Sequence, residues 1–160
     1  MGKMGKIKIV PLIISFVIVI IAAFLGSIFT SQGTSSYWYQ QIKPSITPPN
    51  LVFPIAWTIL FILIAISLYL VWTNSKDSID KKKVAWVFGL NLVLNILWSL
   101  FFFGLRNPLL GFIEIIFMWI SIWLMISVAR KINKAAMWML VPYLVWVTFA
   151  SILTAMAAFA

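Results

Sequence analysis

The stretch Val84 to Leu105, VAWVFGLNLVLNILWSLFFFGL, runs for 22 residues without a charge. A helix needs about 20 apolar residues to cross the hydrocarbon core of a bilayer, so this run predicts a transmembrane helix. Four further runs meet the same criterion: Ile9 to Phe29, Leu51 to Thr73, Asn107 to Ala129 and Ala135 to Ala160. Glu114 is the one charge within the five. The linkers leave no space for an extramembrane domain, so residues 1–160 read as a single all-α integral membrane domain, a five-transmembrane-helix bundle. Composition agrees: 64% of residues are hydrophobic and 9% charged, where a soluble domain carries roughly a quarter. The chain has no Cys and no His, which excludes disulfides, thiolate chemistry, Ser-His triads, and Zn or haem ligation through those side chains.

Lys and Arg set the expected orientation, because their excess marks cytoplasmic loops. Alternating across five spans, one face receives Lys3, Lys6, Lys8, Lys76, Lys81, Lys82, Lys83, Arg130, Lys131 and Lys134, and the other Lys43 and Arg106. This partition predicts a cytoplasmic N-terminus and an outside C-terminus. The net charge of +9 then faces anionic lipid, and no nucleic-acid partner is expected. The first run exceeds the 7–15 residues of a signal-peptide core and is read as a retained helix. Short connections predict antiparallel neighbours for the second to fifth spans.

The longest connection, residues 30–50, holds Tyr37, Trp38 and Tyr39, then Pro44, Pro48 and Pro49. Proline fixes φ and removes N–H donors, so the loop is expected to be a stiff, extended lid. Beneath it, the third span carries Asn91, Asn95, Trp98 and Phe102 on one stripe. The second carries Phe53, Trp57 and Phe61 at i, i+4 and i+8, and the fifth carries Tyr143, Trp146, Ala150 and Leu153 along one broad face, with Pro142 in the helix interior. Intramembrane Asn side chains turn inward, either bonding helices together or lining a site. At about 1.5 Å per residue, Trp57, Asn95 and Trp98 fall at a common depth below the lid, with Trp146 deeper. Flat aromatics with a few amides describe a pocket for a planar, mostly apolar molecule. Glu114, about 9 Å from the lid end of the fourth span, is read as a possible polar partner, meeting Arg106 or an Asn of the third span.

Trp38-Tyr39, Lys43-Pro44, Pro48-Pro49, Phe53, Trp57-Thr58, Asn91, Asn95, Trp98, Phe102-Phe103, Pro142-Tyr143, Trp146 and Phe149-Ala150 together resemble the TspO/MBR family. These are the tryptophan-rich sensory proteins of bacteria and the mitochondrial translocator proteins, or peripheral-type benzodiazepine receptors. The resemblance runs from Trp38 to Ala150 over four of the five spans. It implies a bundle in the bacterial cell membrane that binds protoporphyrin IX, haem and benzodiazepine-type ligands, often as a homodimer. The porphyrin or haem is the ligand and no cofactor or metal site is required. The family's pocket roles fall on Tyr39, Pro48, Trp57, Asn95, Trp146 and Ala150, with Phe53, Phe61 and Trp98 as walls. Ile46, Phe61 and Ala65 stand where Trp, Tyr and Gly are common, and no basic residue follows Tyr143 to complete the sterol motif of animal members.

The leading expectation is a membrane receptor or carrier for tetrapyrroles. The resemblance also implies light-dependent porphyrin degradation, in which Trp57 and Trp146 would be the catalytic groups. A small proton-coupled exporter centred on Glu114 is the third reading, weakened because no second intramembrane carboxylate or Lys supplies a relay.

Overall fold

The structure is a computed structural model that describes residues 5–160. Lys3 of the basic partition lies outside the described residues. The elements are α1 (Ile9–Gly33), α2 (Tyr37–Ile42), α3 (Val52–Asn74), α4 (Ser78–Ser99) with a π-helical extension (Leu100–Gly104), α5 (Pro108–Ile132) and α6 (Lys134–Ala158). Among the described residues five helices are long and apolar enough to cross a membrane: α1, α3, α4 with its extension, α5 and α6. Many large apolar side chains, among them Ile13, Phe24, Phe117 and Val145, are exposed on the outside of the bundle. Such a surface suits lipid rather than water.

The span boundaries shift for local reasons. α4 starts at Ser78 rather than Val84 because the Asp77 side chain accepts from the Asp80 N–H at 2.9 Å, capping the helix. Lys81 to Lys83 thus ride on its first turns, with the Lys81 ammonium over the Trp72 ring at 5.4 Å. Asn107 caps α5 through the Leu110 N–H, with Pro108 in its first turn, and Asn133 caps α6 through the Ala136 N–H. α6 continues unbroken through Pro142.

The spans close a ring in the order α1, α3, α6, α5, α4 and back to α1. As expected, α5 packs against both α4 and α6. The expectation for α3 and α4 is corrected: despite their short connection they touch little, and α3 leans on α1 and α6. Lys8 N–H on Tyr69 Oη (3.0 Å) ties α1 to α3 at the basic end of the bundle.

Two features shape the opposite end. The lid is not extended throughout: residues up to Gly33 belong to α1, and Ser36 caps the short helix α2 by accepting from the Tyr39 N–H. Below it, the π-helical turn closes with Leu105 N–H on the Leu100 carbonyl at 2.7 Å. This wider turn buries the consecutive Phe102 and Phe103 in one cluster with Tyr39. The chain then reverses at Arg106, whose φ is 50°, into the N-terminus of α5.

Candidate functional site

The lid helix α2 is held by aromatic contacts. Tyr39 is buried, its ring centroid 5.4 Å from Phe103 and 6.4 Å from Phe102, while Trp38 meets Phe102 edge-on at 5.8 Å. Burial pushes the Tyr39 phenol above its ordinary pKa, so it stays neutral. Beneath α2 lies a cavity of about 430 Å³. Its walls come from α1, α3, α4 with its extension, and α6; α5 supplies none of the described lining residues. The described lining carries no formal charge and is mainly apolar, with Asn50, Asn95 and the hydroxyls of Ser27, Thr30, Ser31, Thr34, Tyr39, Ser99 and Thr154 as its polar points. Trp98 stacks on Phe102 (5.3 Å, 17°) and Trp57 on Phe61 (5.4 Å, 29°), so flat faces are prearranged on two walls.

A buried hydrogen-bond chain backs the cavity. Asn95 Nδ2 donates to Tyr143 Oη (3.1 Å), which donates to Asn91 Oδ1 (3.0 Å). Asn91 Nδ2 donates to Ser121 Oγ (2.9 Å), and that hydroxyl donates to the Met118 carbonyl (2.6 Å). The chain joins α4, α6 and α5 and fixes the amide orientations of both Asn residues. On the opposite wall the Thr30 hydroxyl reaches the Gly26 carbonyl and Ser99 Oγ.

Eight of the twelve residues read from sequence line the cavity: Tyr39, Phe53, Trp57, Phe61, Asn95, Trp98, Ala150 and Leu153. The other four sit elsewhere. Asn91 and Tyr143 are fully buried links of the polar chain behind the wall, and Pro48 is not among the lining residues, where Pro44 and Asn50 are. Trp146 packs edge-on against Phe53 (5.9 Å) and beside Phe149 (5.8 Å), one layer removed. Glu114 is buried in α5 away from the lining. Neither Arg106 nor an Asn bonds it: among the described residues both its oxygens lack a partner, as do the indole N–H groups of Trp98 and Trp146.

Sequence reading missed an entire wall. Ala23, Gly26, Ser27, Thr30, Ser31 and Thr34 line the cavity from α1 and its end. Their steps of three, one, three, one and three residues are helical periodicity, so the signal was present as a stripe of small side chains. Among the described residues no group of three or more His, Cys, Asp or Glu converges.

Fold and site together define a multi-pass helical membrane protein with an aromatic cavity, its described lining free of formal charge, beside the short helix α2 at one end of its bundle. The TspO/MBR family model matches residues 14–159. The tryptophan-rich protein TspO of Archaeoglobus fulgidus is 42% identical over 146 residues, 91% of this chain and 94% of that protein. The protein of the same name from Chlorobaculum tepidum is 40% identical, covering 81% of this chain and 82% of its own. The human translocator protein is 28% identical over 83% of this chain and 79% of its own length. The chain belongs to the TspO/MBR family.

Proposed function

We propose that the protein is a membrane receptor or carrier for tetrapyrroles such as protoporphyrin IX, taken into the cavity beneath α2. The observation that carries this reading is the pairing of flat aromatic walls, Trp57–Phe61 and Trp98–Phe102, across a space without charge. A planar macrocycle gains area and quadrupole contacts from such faces. Asn95 adds directionality: its Nδ2 is engaged by Tyr143, which leaves the carbonyl oxygen free to accept from a ring N–H. Tyr39, Phe53, Ala150 and Leu153 complete the contact, while Asn91 and Tyr143 act through Asn95, Trp146 supports Phe53, and Pro48 stiffens the lid. With no His or Cys in the chain, recognition is by faces and edges, so metal-free protoporphyrin and haem are bound comparably. The one-sided basic charge supports an orientation with the cavity in the outer half of the membrane.

The test is quenching of Trp fluorescence by protoporphyrin IX in nanodiscs. Trp57→Ala weakens binding about fivefold or more, as expected for losing an aromatic on which a planar ligand stacks, worth about 1–3 kcal/mol. Trp119→Phe, on the far α5–α6 surface where Trp119 Nε1 donates to Thr148 Oγ1, leaves it unchanged. Equal affinities in the two variants would sink the assignment.

A further inference from the structure

Glu114 has no role in the reading above, yet its burial demands one. It is 5% exposed, and neither carboxylate oxygen has a hydrogen-bond partner among the described residues. An ionised carboxylate left unpaired in a membrane interior costs several kcal/mol, so this geometry suits the neutral acid.

Its position relative to the cavity follows from two contacts. Gly111, Glu114, Met118 and Ser121 share one buried stripe of α5. Gly111 abuts Phe102, and Ser121 accepts from Asn91. The antiparallel register between those points sets Glu114 level with Trp98, whose ring lines the cavity and whose indole N–H is unpartnered. Glu114 therefore lies behind the aromatic wall, on the one span that the cavity does not touch.

We infer that Glu114 is a proton-binding site linked to cavity occupancy: the ligand-bound protein holds the carboxyl protonated more tightly than the empty one. Because Glu114 is level with Trp98, water admitted to the unliganded cavity would lie across that ring from the carboxyl and would support its ionisation. A flat ligand stacked on Trp98 and Phe102 expels that water and favours the neutral acid. Binding is then accompanied by proton uptake, and by reciprocity a rise in pH weakens binding. The titratable and charged groups on the elements around Glu114 are few. α6 presents the Tyr143 phenol, already engaged with Asn91 and Asn95. Along this stretch α4 and its extension carry only uncharged side chains, among them Asn91, Asn95, Trp98, Ser99 and Phe102, and α3 carries Tyr69 at the far, basic end. Arg106 is exposed beyond the π turn, and Arg130 and Lys131 occupy the opposite end of α5.

The coupling rests on the cavity being the ligand site; the proton site does not, so the two are tested separately. In ligand-free nanodiscs at pH 7, infrared spectroscopy shows the C=O stretch of a neutral carboxylic acid that titrates away at alkaline pH and is missing from Glu114→Gln. A folded wild-type protein without that band overturns the site. For the coupling, the probe is protoporphyrin dimethyl ester, which has no carboxylates of its own. Its affinity for the wild type falls by up to about tenfold per pH unit across the range in which the band is lost, and is flat for Glu114→Gln, which preserves volume. Equal pH dependence in both overturns the coupling. Should the ester bind neither protein, the tetrapyrrole reading fails and the coupling with it, and the infrared band alone decides the proton site.

Discussion

Replacing Gly33 by Ala tests how the lid end is built. Gly33 lies at the end of α1 with ordinary helical φ, so its lack of a side chain serves close approach rather than backbone freedom. A Cβ built there would fall 2.6 Å from Phe103 Cγ and 2.7 Å from its Cβ, where ordinary contact begins at 3.4 Å. Because the root of the side chain is involved, a ring rotation does not relieve the overlap, and Phe103 must retreat by about 0.7 Å or more on that comparison. Its ring is hemmed by Phe102 (4.9 Å), Tyr39 (5.4 Å) and Trp98 (5.7 Å). Overpacking of this kind costs about 1–3 kcal/mol, and the helix propensity of Ala over Gly returns about 1 kcal/mol at most. With the full return, the expected net loss is about 0–2 kcal/mol, against a gain of up to about 1 kcal/mol where the added methyl meets nothing. The same reasoning ranks three other helical glycines. Gly111→Ala meets Phe102 at 3.0 Å and is intermediate. Gly26→Ala meets Ser99 Oγ at 3.4 Å, and Gly89→Ala meets nothing within 4 Å, so both are neutral or slightly stabilising. Unfolding in mixed detergent micelles by increasing dodecyl sulfate, followed by circular dichroism and Trp fluorescence, reads the order directly. If Gly33→Ala unfolds at the same detergent fraction as Gly89→Ala, the docking of α1 on the π turn is wrong.

Tyr143→Phe removes the hydroxyl that serves both Asn91 and Asn95. Two intramembrane bonds averaging about 0.6 kcal/mol each, plus the partners left unpaired, give an expected destabilisation of about 1–3 kcal/mol in the same titration; a loss below about 0.3 kcal/mol would mean that the chain does not hold α4 to α6. Filling the α1 wall with Ala23→Leu and Ser27→Leu together should weaken protoporphyrin quenching at least tenfold while circular dichroism stays unchanged, and undiminished quenching would remove α1 from the site.

The spans were legible because the membrane imposes a length and a charge rule that any window of sequence displays; α4 alone began six residues early, since Lys81 to Lys83 look like a loop until Asp77 is seen to cap them. The site was legible to the extent that it is made of groups. Phe53, Trp57 and Phe61, or Asn95 and Trp98, announce themselves by size or polarity at helical spacing. What spacing does not resolve is which neighbour a broad face meets. Tyr143, Trp146, Ala150 and Leu153 share a face of α6, yet Ala150 and Leu153 look into the cavity, Tyr143 turns to the Asn pair and Trp146 packs beyond Phe53. The α1 wall was hidden for the opposite reason. Ala23, Gly26, Ser27, Thr30 and Ser31 offer a ligand little to grip; their contribution is the volume they leave unfilled. In a close-packed bundle, where voids larger than a water molecule are few, a cavity is defined as much by the side that fails to fill it as by the side that grips. A stripe of small residues opposite a stripe of large flat ones is therefore the pattern that locates the site, and neither half suffices by itself.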